Sequence, residues 1–120
     1  MIKIGCNYLS FKGAETSVED FIQTCHALRL DCVDFHQRAF ASHETAYLLG
    51  LKRQCLDLGL PVGYLGMGGG FAGDEEFQRD KIAEAKGAID MARVLGAPLI
   101  RVFGWSATET EERAPLFAAL

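Results

Sequence analysis

Hydrophobic and polar positions change their period along this chain in a regular order. Ile2 and Ile4 alternate with Lys3, Gly5 and Asn7, the two-residue period of a strand, which predicts a first strand over residues 2–8. Val18, Phe21, Ile22, Cys25 and Leu28 then recur at helical spacing behind Ser17, which reads as an N-cap with Asp20 three residues on. A second strand is expected over Cys32–His36. A second helix over residues 44–58 carries Leu48, Leu51, Cys55 and Leu58 as its stripe. Gly59 stands where a left-handed residue ends a helix, and Pro61 prevents its continuation. A third strand over residues 62–65 precedes a third helix that opens near Asp74. Glu75 and Glu76 suit the positive end of its dipole, and Ile82, Ala85, Ile89, Ala92 and Leu95 form its expected buried face. Gly96 and Pro98 repeat the stop signal, and a fourth strand is expected over residues 99–103.

One phrase marks each helix end and strand start. It reads "LRLDCVDFH" from Leu28, "LGLPVGYLG" from Leu58 and "LGAPLIRVFGW" from Leu95, at spacings of 30 and 37 residues. Those are lengths of a βα unit. Alternating strands and helices imply α/β architecture with a parallel sheet and right-handed crossovers. An open doubly wound sheet and a barrel remain in competition, and the strand faces favour the barrel. A central open-sheet strand is apolar on both sides, because helices cover both. The second strand instead sets Asp34 and His36 against Val33 and Phe35, and the fourth sets Arg101 between Ile100 and Val102. About four βα repeats, half of a TIM barrel, are therefore expected in a single domain spanning residues 1–120.

The chain has 120 residues, 49% hydrophobic and 23% charged, with a formal net charge of −4. This is globular composition, and the charge argues against a nucleic-acid partner. No apolar run approaches a membrane span, and the N-terminus reads as a strand rather than a signal peptide. Cys6, Cys25, Cys32 and Cys55 form no C-x-x-C pair and fall mostly in apolar periodic segments. They read as reduced thiols, which suits a cytoplasmic location.

The three copies of the phrase, and above all "AIDMARVLGAPLIRVFGW", resemble the N-terminal half of the xylose-isomerase-like barrel superfamily, the sugar phosphate isomerases and epimerases. The resemblance implies an eight-unit TIM barrel of which about four units are present. It also implies metal-assisted isomerisation or epimerisation of a small sugar or sugar phosphate in the complete barrel. In that family a divalent metal (Mn, Mg, Zn or Co) is bound at the ends of strands five to eight, and carboxylates there move the proton. No metal ligand and no catalytic acid or base is therefore carried onto this chain. What carries over is the mouth formed by the first four strand ends.

Five residues are expected to bind substrate at that mouth: Asn7, His36, Gly68, Gly69 and Trp105. His36 ends the second strand, where it either hydrogen-bonds a sugar hydroxyl or is satisfied by neighbouring loops. Asn7 is an inward polar side chain, and Trp105 offers a face on which a sugar can stack. Asp34 stands where the family commonly has the glutamate of a "V-E-L" strand. Asp34 and Arg101 each lie three residues after the Asp or Pro that opens their strand, and a structural ion pair between them is expected.

The run "GMGGGFAG", residues 66–73, contains G-x-G-x-x-G, but in the third βα turn and with no ribose-binding acid after the next strand. It reads as a mobile glycine loop, an anion-receiving turn or a lid. A zinc endonuclease relative would carry histidines at the ends of strands three and four, where Gly66 and Gly104 stand instead.

A fourth helix is expected to begin around residues 109–112, with Pro115 in its first turn and Leu116, Phe117 and Leu120 on its apolar stripe. Four parallel strands leave two open edges. The chain is accordingly expected to be part of a longer barrel or to pair with a second copy. A non-catalytic half-barrel fragment, or a sugar-binding or assembly module, is the alternative reading.

Overall fold

The computed structural model describes residues 2–104. Its elements run β1 (Gly5–Asn7), α1 (Val18–Ala27), β2 (Cys32–His36), α2 (Thr45–Asp57), β3 (Val62–Gly66), α3 (Glu75–Leu95) and β4 (Ile100–Arg101). Short 3-10 turns at Tyr8–Phe11 and Gln37–Ala39 follow β1 and β2. The expected fourth helix and Trp105 lie outside the described residues.

All four strands are parallel and pair in sequence order, β1-β2-β3-β4. An order without reversal is that of a barrel wall, not of a doubly wound sheet, which needs a switch point. Each right-handed crossover steps the same way, so the helices collect on one face. The core lies between that face and the sheet: Phe21, Ile22 and Cys25 from α1, Val33 and Phe35 from β2, Leu48, Leu51 and Cys55 from α2, Val62 and Leu65 from β3, Ala92 and Leu95 from α3.

The helix ends follow their local chemistry. Ser17 Oγ accepts from Asp20 N at 3.0 Å, and Asp74 Oδ1 accepts from Phe77 N at 2.9 Å. Gly59 and Gly96 take positive φ, +68° and +80°, where the helices turn into strands. Burial pushes the Cys25 thiol up to about 12 and the Cys55 thiol up to about 11, so both are protonated core groups. All four cysteines are free.

Three expectations need correction. β1 is limited to Gly5–Asn7, and Ile2 and Ile4 are exposed. Ile4 is held by the Asp31 side chain, Ile4 N donating to Asp31 Oδ2 at 2.8 Å, in place of a continued ladder. β4 is limited to Ile100–Arg101, and Val102 and Phe103 are exposed. The buried face of α3 is Ala88, Ala92 and Leu95, while Ile82 and Ile89 are about half exposed, at 49% and 46%. β1 and β4 are edge strands, and α3 has α2 on one flank only among the described residues, so the outermost apolar positions meet no partner.

Candidate functional site

The C-terminal ends of the strands bring together groups that are far apart in sequence. Asn7 leaves β1 with both ends of its amide engaged. Its Oδ1 accepts from Leu9 N at 2.8 Å, and its Nδ2 donates to Tyr64 Oη at 2.6 Å. The first bond fixes the amide orientation. The second fills an acceptor position on the tyrosine oxygen and leaves the phenol proton to be donated elsewhere.

Tyr64 escapes the sequence reading because alternation from Val62 would point it at the helices. β3 carries a bulge: Val33 pairs with Val62 but Phe35 pairs with Leu65, so Gly63 and Tyr64 together oppose Asp34. The extra residue turns Tyr64 to the inner face. Gly63, a glycine inside a strand, is the available sequence signal. A bulge strands a backbone N–H, and Asp34 Oδ1 accepts it, from Tyr64 N at 3.1 Å. A Cβ on residue 63 would collide with that same oxygen.

This arrangement overturns the expected Asp34–Arg101 ion pair, since no contact within 4 Å joins the two groups. Asp34 lies level with Asn7, while Arg101 lies level with Gly66 and hence with His36, one inward step further up. The guanidinium instead covers two rings, with its Cζ 5.5 Å from the Tyr64 centroid and 4.8 Å from that of Phe103. Its Nε is buried without a hydrogen-bond partner among the described residues. Burial pushes the Asp34 carboxyl above its ordinary range, against the opposing pull of the Tyr64 N–H and of Arg101. Arg101→Ala should therefore cost about 1 kcal/mol, the scale of cation–π stacking at a partly exposed site. A chemical-denaturation midpoint will distinguish this from the roughly 3–5 kcal/mol of a broken buried ion pair.

His36 is buried at the end of β2, with 8% of its surface exposed. Its Nδ1 accepts from Arg38 N at 3.2 Å, which puts the proton of the neutral ring on Nε2. Burial, then the charges of Arg38 and Arg101, hold the ring below the ordinary histidine range, so it is neutral at pH 7. The glycine loop packs over it. A Cβ on Gly66 would lie 3.3 Å from His36 Cδ2, and one on Gly68 3.3 Å from Nε2. Gly69 has φ +79° and rests on Lys81, whose Nζ would be 3.0 Å from an added Cβ. Lys81 pairs with Glu84 at 2.6 Å, and Glu84 also accepts from Gln37 Nε2 at 2.5 Å. The Lys81 hydrogen bond holds the Glu84 carboxyl below its ordinary range.

Thus Asn7, His36, Gly68 and Gly69 belong to one end of the sheet, and Tyr64, Arg38 and Arg101 join them. Beside them, Tyr8, Leu9, Lys12, His36, Arg38 and Ala39 line an open cleft of about 460 Å³.

The residues present do not fit a divalent metal. Among the described residues no three His, Cys, Asp or Glu side chains converge, Asp34 is committed to the bulge, and His36 has cationic neighbours. No helix among the described residues is long and apolar enough to cross a membrane.

No family model matches the sequence, and no curated protein matches it. Solved structures do. A D-psicose 3-epimerase determined with D-fructose superposes with a TM-score of 0.79 at 14% identity. A D-psicose 3-epimerase from Clostridium cellulolyticum H10, determined with D-tagatose, superposes at 0.80 and 15%. Each covers 98% of this chain and 44% of the epimerase. A xylose isomerase domain protein from Planctomyces limnophilus superposes at 0.65 and 19%, covering 97% of this chain and 45% of its own. The chain spans less than half the length of each, matching their N-terminal portion, and so has the α/β fold of half a TIM barrel.

Proposed function

We propose that this chain is the substrate-holding half of a sugar isomerase or epimerase barrel. The observation that carries the reading is the inner face at the C-terminal strand ends. Asn7, Tyr64 and His36, brought together there from three strands, offer hydrogen-bonding groups for a polyol. In a TIM barrel that is the face on which substrates bind. The likeness to epimerases determined with ketohexoses supports the class of ligand. The Nε2–H of His36 is the candidate donor to a sugar hydroxyl, with Gly68 packed beside it, and Trp105, outside the described residues, is the candidate stacking residue. No proton-transfer step is assigned to these residues. In this reading the divalent metal and the acid–base groups belong to the remainder of a longer barrel or to a second copy.

The chain's one tryptophan makes the test direct. Titrating D-fructose should change Trp105 fluorescence and saturate in the millimolar range, with His36→Ala weakening binding about tenfold, the scale of a lost hydrogen bond in a site. An unchanged spectrum at high millimolar sugar would leave these residues as packing alone. The alternative reading, an assembly module without chemistry, draws on the exposed Leu99, Val102 and Phe103 around the open edge of β4. It expects self-association with no response to sugar.

A further inference from the structure

We infer that the outward face of α2 is a self-association surface, on which a second copy of this chain packs its own α2 antiparallel across a two-fold axis. The inference does not depend on the sugar reading.

The helical period sets the face. Ala46, Leu49, Gly50, Arg53, Leu56 and Asp57 fall on one side of α2 and all six are exposed, while Leu48, Leu51 and Cys55 on the other side are buried. Solitary surface leucines are ordinary. Here Leu49 and Leu56 lie two turns apart on one face, and a third leucine stands at the same end. His26 Nδ1 donates to Leu58 O at 3.2 Å, which sets the end of α1, and the exposed Leu28 that caps it, beside the end of α2. α2 is also the middle helix, with α1 on one flank and α3 on the other. Further strands of a longer barrel would join at the edges of β1 and β4, away from this face.

Two residues of the face go against their local setting. Gly50 weakens the middle of a helix, yet a Cβ there would meet nothing within 4 Å, so packing inside the chain does not require it. Its missing side chain leaves room for another helix to come near. Asp57 closes α2 at the negative end of the helix dipole, where a carboxylate is disfavoured. Arg53 stands one turn before it, but the two form no ion pair; the pairs among the described residues are Lys81–Glu84 and Arg93–Asp90.

Charge selects the occupant. In a two-fold interface residue i meets residue j and j meets i. With the axis level with Cys55, Arg53 faces the partner's Asp57, Asp57 faces the partner's Arg53, and the two copies of Leu56 meet beside the axis. Two opposite-charge pairs then flank an apolar centre, the layout of a polar rim around a hydrophobic core. An unrelated protein would have to supply that pattern, whereas a second copy carries it. The face is one helix wide, less than the roughly 800 Å² per partner of a standard interface, so the pair is a weak one.

The test is sedimentation velocity of the 120-residue chain at roughly 5–500 µM, a range suited to a small interface. Leu56→Asp, Arg53→Glu, Asp57→Lys and the double variant Arg53→Glu/Asp57→Lys are run beside it. All change exposed positions, and circular dichroism checks that each is folded. The parent should form a concentration-dependent dimer. Leu56→Asp and either single reversal should raise its Kd at least about tenfold, since each reversal sets like charges opposite one another twice. The double variant should return to within about threefold of the parent, because the exchanged pair is complementary again. A monomer across the whole range overturns the inference. So does a dimer that Leu56→Asp leaves intact, which would put association at the open strand edges. So does a double variant no tighter than the single reversals.

Discussion

Phe35→Ala is expected to lower the stability of this chain by about 3–5 kcal/mol, the range for deleting a fully buried aromatic ring. Phe35 has no exposed surface and sits on the second of four strands, between sheet and helices. Its ring meets Phe21 edge-on at 6.2 Å and Phe40 at 5.6 Å, and Phe21 in turn meets Tyr8 at 5.4 Å and Phe11 at 5.3 Å. Removing it takes the central member from a set of rings contributed by two strand-end turns, α1 and β2. The loss combines transfer free energy with a cavity that rigid strands on both sides cannot collapse. Domains of this size are stable by about 5–15 kcal/mol, so the variant should lose roughly a fifth or more of its margin. Urea unfolding followed by circular dichroism checks this. Leu56→Ala, at a position 64% exposed, should move the midpoint by less than about 0.5 kcal/mol.

Asp34→Ala is expected to cost about 1–3 kcal/mol, because the bulge N–H of Tyr64 loses its acceptor inside the inner face. Asp34→Asn keeps an acceptor oxygen and removes the charge. It should match or exceed the parent in stability at pH 7, since burial disfavours the charged carboxylate there. The sign of the pH dependence follows from linkage. The folded-state pKa of Asp34 is raised above its ordinary value of 3.8, so the folded state binds the proton more tightly than the unfolded chain. The stabilising contribution is full below pH 3.8 and is lost as pH rises through the raised folded value. Stability of the Asn variant relative to the parent should therefore grow across that window and then level off. A flat difference between pH 3 and 7 would mean that Asp34 is solvated.

The repeating architecture was legible because it is built from local rules. Ser17, Asp74, Gly59 and Gly96 each act within one turn of themselves, and their roles can be read without knowing what packs nearby. The faces of β2 were legible too, since Val33 and Phe35 point to the helices and Asp34 and His36 away from them. What escaped depends on register. One extra residue in β3 moves Tyr64 to the inner face, aligns Arg101 with His36 and gives Asp34 a backbone partner, and nothing in an alternating pattern announces it except Gly63. The buried face of α3 was misread for a different reason. Ile82 and Ile89 satisfy the helical period, but burial requires a neighbour on that flank, which amphipathic spacing cannot supply.

Pairing each strand only with its neighbours in sequence has a consequence for how the chain comes together. Every sheet contact closes a loop of one βα unit, so the entropic cost of ordering is met in similar instalments, since loop closure depends only logarithmically on length. Contact order stays low for a parallel sheet, where distant strand pairings are the usual source of slow folding. The growth has a direction as well. Asn7, Asp34 and Tyr64 lie on the first three strands, and their mutual hydrogen bonds need nothing beyond Gly66. The hydrogen-bonded partners of the polar floor thus all lie within the first 66 residues, and the glycine loop and Lys81 follow them in the chain.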